Sequence, residues 1–250
     1  LGVPVHSLSL IDGDTDRTPD CGKTSASRQT FVSGKAALLA GRALREVILR
    51  HGNVSDDASI VIEGAEVRLV DNAAGGTASI DLSSLPVNAH GYVFMAEETY
   101  DPPTTPLDEN GQGAPYAVYG YGAQMIELVV DIGLGQVRLE KMTTAHDVGR
   151  AINPLLVEGQ IEGGAAQGIG LALMEDYLPG RTENLHDYLI PTIGDVPLFE
   201  HVIVEVADAE GPYGAKGLGE HVLIPTAPAI VNAIRQATGV LITHLPATAD

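Results

Sequence analysis

The chain has 250 residues, a formal net charge of -19 and a hydrophobic fraction of 44%. This length and composition predict a globular protein of one large or two small domains, and the acidity excludes nucleic acid and anionic membranes as partners. A single cysteine, Cys21, excludes an internal disulfide and a cysteine-ligated metal cluster within the chain, and it favours a reducing, cytoplasmic location.

The N-terminal part predicts a strand over residues 3–11 and a helix over residues 34–50, with Ser33 as the N-cap and Gly52 as the stop signal. Residues 24–30, directly before this helix, carry four hydroxyl groups. Free N–H groups and the helix dipole favour an anion at such a position. A simple capping turn would produce the same pattern, so both interpretations stand on these residues alone.

The middle of the chain predicts short, mostly antiparallel strands. They cover residues 59–63, 66–70, 79–82, 90–99, 116–132 and 136–143. Residues 72–87 are rich in small and turn-forming residues, and residues 100–115 form a proline-containing loop long enough to be functional. The glycines at positions 120 and 122 fit ordinary strand patterning, and His146-Asp147 fits a structural role better than a metal site.

The last third predicts a helix over residues 155–177, a strand over 202–206 and a helix over 227–238 with Thr226 as its cap. The first helix holds five glycines, which at roughly 1 kcal/mol each cost about 5 kcal/mol of helix propensity. Close packing along Gly159, Gly163, Ala166 and Gly170 would offset that cost. Gln160 and Gln167 are seven residues apart on a shared face, which suits a planar, polar ligand.

Residues 211–220 form a loop with four glycines, Lys216 and a terminal carboxylate, Glu220. Glycine allows the backbone to approach a bound group closely, although a surface turn with a solvated glutamate is the simpler interpretation. Lys216 either tunes the charge of Glu220 or is solvated. Three ligand-friendly stretches, residues 24–30, 159–170 and 211–220, favour one common ligand. The order of elements predicts an α+β fold with mixed, mostly antiparallel sheets and a few packed helices.

Four blocks in this order resemble the molybdenum hydroxylases, the family of xanthine dehydrogenases, aldehyde oxidoreductases and nicotinate dehydrogenases. The blocks read TSASRQT (24–30), DVGRAINP (147–154), GQIEGGAAQGIG (159–170) and GAKGLGE (214–220). The resemblance implies that residues 1–250 are the C-terminal part of a molybdopterin-binding catalytic domain, with sub-blocks 1–145 and 146–250. The chain is then either a natural subunit or a fragment.

The resemblance also implies roles for individual residues. Glu220 matches the catalytic glutamate, which removes a proton from water or hydroxide at molybdenum, and Gln160 matches a glutamine that hydrogen-bonds the molybdopterin. The positions that hold the pterin and its phosphates or dinucleotide are Thr24, Ala26, Ser27, Gln29 and Thr30. Molybdenum itself is held by the pterin dithiolene, so no protein metal ligand is expected.

The implied reaction hydroxylates an electron-poor carbon of an N-heteroaromatic such as a purine or nicotinate, with oxygen from water. Aldehyde oxidation is the alternative within the family, and a non-catalytic module that binds an anionic cofactor is the alternative outside it. The resemblance implies a molybdenum–molybdopterin cofactor, and both the plain form and the cytosine dinucleotide form stay open. It places iron–sulfur clusters and FAD on partner chains, and it places the remaining pterin contacts and the substrate-ring residues on a second molybdopterin-binding chain or an earlier segment.

Overall fold

The computed structural model describes residues 1–71 and 75–249. The chain divides into two compact units. The first unit consists of Leu1–Lys23 and Val32–Asp101, and the second consists of Thr24–Phe31 and Pro102–Asp250. Each unit has its own hydrophobic core.

The first unit contains most of helix α1 (Gln29–His51) and an antiparallel sheet in the order β1-β2-β3. The strands are β1 (Ser59–Glu63), β2 (Glu66–Asp71) and β3 (Gly76–Asp81). The C-terminal part of the helix shares a hydrophobic core with the sheet through Ile48 and Leu49, and burial of these side chains stabilises both elements. The buried core residues are Ile48, Leu49, Ala58, Ile60, Val67, Leu69 and Ile80.

The predicted hairpin of residues 59–63 and 66–70 is confirmed, with Gly64 at φ 63 in its turn. Helix α1 begins five residues before the predicted start at residue 34, so Ser33 lies inside the helix and is not its N-cap. The predicted strand over residues 79–82 overlaps the second half of β3. Residues 72–74 of the predicted turn-rich passage lie outside the described residues.

Two predicted strands, at residues 3–11 and 90–99, are wrong. Residues 3–11 contain only a single 3-10 turn, Val5–Ser7, and residues 90–99 form turns and extended chain. Val5 and Leu10 are 84% and 83% exposed, and of the alternating apolar residues only Val3 packs partly against the core. Alternation marks a face of a strand, but a strand also needs a hydrogen-bonded neighbour.

The second unit contains β4 (Gly122–Asp131), β5 (Gln136–Asp147) and β6 (Leu198–Val204) in the order β4-β5-β6. Strand β5 pairs antiparallel with β4 and parallel with β6. Helices α2 (Pro154–Leu173) and α3 (Thr226–Thr238) complete the unit. The α+β class with mixed sheets is therefore confirmed, whereas the predicted division between residues 145 and 146 falls inside β5.

Helix α2 packs mainly through a face other than the one that its glycine spacing predicted, and of the predicted stripe only Gly170 is buried. A Cβ atom on Gly164 would lie 2.8 Å from Cβ of Val222, and one on Gly168 would overlap Thr226, which begins α3. Gly159 and Gly163 face open space. The close-packed face therefore runs along Gly164 and Gly168, and it buries Ile161, Ala165 and Ile169 of the same helix.

The edges of the second sheet remain accessible. Strand β6 alternates between exposed and half-buried residues, and Leu198 and Val202 are 77% and 48% exposed. In the described part of the chain, no helix is both long and apolar enough to cross a membrane.

Candidate active site

The end of strand β5 fixes the glycine-rich loop of residues 211–220. Gly149 and Ala215 form an isolated antiparallel bridge, and the N–H group of Lys216 donates to the carbonyl of Val148 at 2.9 Å. Gly149 has φ 67, and a Cβ atom there would overlap the carbonyl oxygen of Gly214. The loop is therefore held by backbone pairing with the end of β5, which a simple surface turn would not need.

A buried ion pair strengthens this attachment. Nζ of Lys216 lies 2.6 Å from Oδ2 of Asp147, and both side chains are 8% exposed. The same Nζ donates to the carbonyl of Tyr119 at 3.1 Å. Burial alone would raise the pKa of the Asp147 carboxyl, but hydrogen bonds from Lys216 and from the N–H group of Gly149 lower it below its ordinary value. Lys216 is thus neither solvated nor the partner of Glu220.

At the far end of the loop, Glu220 is joined to the turn at Ala26 and Ser27. Its Oε1 accepts a hydrogen bond from the N–H group of Ala26 at 3.0 Å. Its own N–H group donates to Oγ of Ser27 at 2.5 Å. A Cβ atom on Gly217 would overlap the carbonyl oxygen of Ser27, so glycine is required for this approach.

Gln160 lies in the second turn of α2, beside the same loop. Its Oε1 is 3.3 Å from the point where a Cβ atom on Gly219 would stand. The Gln160 side chain is exposed. The structure therefore brings together four residues predicted from widely separated segments: Ala26, Ser27, Gln160 and Glu220.

The other predicted residues lie next to this turn: Thr24 precedes it, and Gln29 and Thr30 begin α1. Nε2 of Gln29 donates to Oγ1 of Thr24 at 3.1 Å. Thr30 is exposed in the first turn of the helix, and Glu220 is exposed as well. All of these residues belong to the second unit.

The sequence reasoning missed a buried polar cluster behind Glu220. His146 is fully buried, and Nε2 of Gln124 lies 3.3 Å from its Nε2. The ring centroids of His146 and His221 are 5.3 Å apart. Among the described residues, Nδ1 of His146 and Nε2 of His221 have no hydrogen-bond partner. Burial and the nearby His221 and His201 lower the pKa of His146 to about 4.

Glycines at 120 and 122 make room for the two histidine rings. These glycines are the sequence signal for the cluster, but they also fit ordinary strand patterning. A Cβ atom on Gly122 would lie 2.6 Å from Nδ1 of His146, and one on Gly120 would lie 2.9 Å from Nδ1 of His221. Within the described residues, no group of three or more histidine, cysteine, aspartate or glutamate side chains is arranged to hold a metal ion.

Comparison with known proteins adds three findings. A family model of molybdopterin cofactor-binding domains matches residues 1–197. The putative xanthine dehydrogenase molybdenum-binding subunit of Escherichia coli (strain K12) is 34% identical over 261 residues, which covers 99% of this chain and 33% of that protein. The nicotine 6-hydroxylase large subunit of Paenarthrobacter nicotinovorans is 30% identical over 261 residues, which covers 100% of this chain and 31% of that protein.

Solved structures share the fold. The crystal structure of the aldehyde oxidoreductase from Desulfovibrio desulfuricans matches with a TM-score of 0.75 and 33% sequence identity. That match covers 93% of this chain and 23% of the other chain. The chain thus spans about a third or less of the length of the relatives that it matches.

Proposed function

This chain belongs to the molybdopterin cofactor-binding domain family of the molybdenum hydroxylases, and from that membership we propose that it is part of the catalytic subunit of such an enzyme. The observation that carries the proposal is the contact between Glu220 and the turn at Ala26 and Ser27, with Gln160 beside it. A carboxylate, an amide and hydroxyl groups from three distant segments meet at one place. We propose that residues 1–250 form the C-terminal part of the domain.

The residues present fit a molybdopterin. Side chains at Gly217 and Gly219 would crowd Ser27 and Gln160, and the side chain of Gln160 makes no hydrogen bond with the described residues, so its amide can serve a ligand. Hydroxyl groups beside the start of α1 and the positive end of the helix dipole suit phosphate oxygens. The proposed pterin-holding residues are Thr24, Ala26, Ser27, Gln29, Thr30 and Gln160.

When bound, the cofactor would supply the two-electron oxidation and the activation of water. Glu220 would act as the general base and accept the proton that the attacking water releases. The bridge at Gly149 and the ion pair of Lys216 with Asp147 would hold the loop in place during this transfer. Because Glu220 is exposed here, we propose that residues outside this chain cover it and hold the substrate ring.

For the substrate, we propose an N-heteroaromatic such as a purine or nicotinate, hydroxylated at an electron-poor carbon. Relatives named for xanthine and nicotine at 34% and 30% identity support this class. Aldehyde oxidation is the second candidate, and the structural match to an aldehyde oxidoreductase supports it. The purified enzyme, assayed with xanthine, nicotinate and a simple aldehyde, should oxidise a heteroaromatic with the highest kcat/KM. A higher kcat/KM for the aldehyde would make aldehyde oxidation the first candidate reaction and heteroaromatic hydroxylation the second.

We further propose that iron–sulfur and FAD subunits and a second molybdopterin-binding chain act with this one, in the cytoplasm. Related proteins are named as subunits, which supports partner chains in general. The cofactor would carry the cytosine dinucleotide or lack it, and nucleotide release after acid hydrolysis separates the two forms. Mass spectrometry of the chains that co-purify tests the partners, and isolation of this chain as a fully active enzyme would contradict them.

Replacement of Glu220 tests the base. Glu220→Ala should lower turnover by about 10²-fold or more, the scale of a positioned base, while the molybdenum content stays unchanged. The measurement is kcat per molybdenum, with metal content determined on the same sample. Equal turnover in the variant would remove Glu220 from the mechanism. A wild-type enzyme free of molybdenum and pterin would favour a non-catalytic module.

Replacement of Gln160 tests the cofactor contact. Gln160→Ala should reduce the molybdenum content of the purified protein, because an amide hydrogen bond to the pterin is lost. Gln167→Ala, two turns further along α2 and also exposed, is the matched control and should retain the metal. Equal loss in both variants would show that the helix, and not the amide at position 160, retains the cofactor.

A further inference from the structure

We propose that the turn at Ala26 and Ser27 is a positioning device for Glu220, and that Oε2 of Glu220 is the atom that takes the proton. The inference rests on the proposed function of Glu220 as base. It gives Ser27 a role beyond a cofactor contact: its hydroxyl oxygen holds the main chain of the catalytic residue. We call the two hydrogen bonds that join Ala26 and Ser27 to Glu220 the Glu220 latch.

The latch is reciprocal. The N–H group of Ala26 donates to Oε1 of Glu220, across 194 residues of sequence. The N–H group of Glu220 donates to Oγ of Ser27, across 193 residues. One bond fixes the side chain and the other fixes the backbone, so the carboxylate is restrained at both ends. A surface glutamate that is merely solvated would need neither bond.

The backbone of the turn at Ala26 and Ser27 adopts a costly conformation where it makes these bonds. In the described part of the chain, four non-glycine residues have positive φ: Ala26, Ser27, Asn53 and Tyr213. Ala26 and Ser27 are consecutive, at φ 54 and φ 53. Non-glycine residues rarely adopt this region unless the surroundings fix them there, and such strain clusters at functional sites.

Two glycines make the approach possible from the opposite side. A Cβ atom on Gly217 would overlap the Ser27 carbonyl, and one on Gly219 would lie 3.1 Å from Oγ of Ser27. The loop therefore lies directly against the turn. Glycine on one side and strained residues on the other are both explained by the need for contact at this point.

The latch also distinguishes the two carboxylate oxygens. Oε1 is engaged by an N–H donor, and a carboxylate oxygen accepts such a bond whether or not the other oxygen carries a proton. Oε2 is left to receive the proton, which forms an O–H bond there and leaves Oε1 as the carbonyl oxygen. The bond to Ala26 therefore persists before and after proton transfer. Oγ of Ser27 accepts through one lone pair and keeps its own O–H group to donate elsewhere.

Hydrogen exchange at the Glu220 amide tests the latch without any need for turnover. Ser27→Gly removes the hydroxyl, and glycine adopts φ 53 without strain, so the turn is preserved. In the full chain, free of cofactor, exchange at the Glu220 amide should accelerate by about tenfold, the scale of one net hydrogen bond. Ser25→Ala removes the neighbouring hydroxyl and should leave this rate unchanged. An unchanged rate in Ser27→Gly overturns the latch, whether or not the protein binds molybdenum.

The loaded enzyme separates positioning from cofactor binding. If Ser27 positions Glu220, Ser27→Gly lowers kcat per molybdenum by about tenfold, whether or not the lost cofactor contact also lowers the molybdenum content. If Ser27 only holds the cofactor, molybdenum content falls and kcat per molybdenum is unchanged, and the latch is rejected as a catalytic device. Failure of the proposed function itself has a different signature, because wild-type protein would then lack molybdenum or turnover while the hydrogen-exchange difference remained.

Discussion

At the scale of single residues, the buried pair of Lys216 and Asp147 has the largest expected effect on stability. Both side chains are 8% exposed and lie 2.6 Å apart. Removal of one partner leaves a buried, unpaired charge, which costs about 3–5 kcal/mol. The exposed pair of Arg68 and Glu63, at 45% and 57% exposure, has the same geometry with solvent around it.

We therefore expect Lys216→Met to lower the free energy of unfolding by about 3–5 kcal/mol in urea titrations. Arg68→Met should lower it by less than about 1 kcal/mol. The double variant Asp147→Leu with Lys216→Met should recover part of the loss, because no charge is then left unpaired. Similar losses for the buried and exposed pairs would contradict this interpretation.

Residue-level contacts also show what sequence can and cannot predict. The residues of the site were identified through motifs, and the structure places Ala26, Ser27, Gln160 and Glu220 together. The histidine cluster was missed, because its members come from β5 and from the residue after Glu220, and only their folding makes them neighbours. The glycines at 120 and 122, where a side chain would collide with His221 and His146, are the sequence feature that indicates the cluster.

At the scale of elements, helix α2 presents two kinds of glycine. Gly168 packs against Thr226 at the start of α3, whereas Gly163 faces open space. The spacing of glycines along a helix shows that a face is free of side chains, but it does not show which face meets a neighbour. The prediction of a helix was therefore correct, whereas the predicted packing stripe is buried at Gly170 and exposed at Gly159 and Gly163. The isolated strands at 3–11 and 90–99 failed for the same reason, since their partners were unknown.

Alanine substitutions on α2 should have opposite signs. Gly168→Ala forces a methyl group into Thr226 and should destabilise the protein by about 1–3 kcal/mol. Gly163→Ala gains helix propensity in open space and should stabilise it by up to about 1 kcal/mol. Thermal unfolding of the two variants side by side provides the measurement. Destabilisation by Gly163→Ala would show that this face is covered in the assembled protein.

At the scale of the whole molecule, stability should depend on pH through the buried histidines. His146 has a pKa of about 4 in the folded chain, against an ordinary value of 6.5. Burial lowers the pKa of His221 as well. Between these values the unfolded chain binds more protons than the folded chain, so stability is full above pH 6.5 and is lost as the pH falls toward 4.

The free energy of unfolding should fall by up to about 3 kcal/mol over this window, measured by urea titration at several pH values. His146→Gln should flatten the profile, whereas His90→Gln, which alters an exposed side chain, should leave its slope unchanged. Only the slopes are compared, because the His146 variant also changes packing. A profile that is flat in the wild-type protein would show that protonation of His146 is accommodated without cost.

The accessible margin of β6 has a practical consequence for anyone who handles this chain by itself. Among the described residues, β6 has a strand neighbour on one side only, and Leu198 and Val202 on it are exposed, so its outer edge is a template for edge-to-edge stacking. Mutual repulsion between molecules of net charge -19 opposes that stacking. Added salt shortens the reach of the repulsion and leaves the apolar attraction intact. The chain should therefore stay dispersed at low ionic strength and self-associate at high ionic strength.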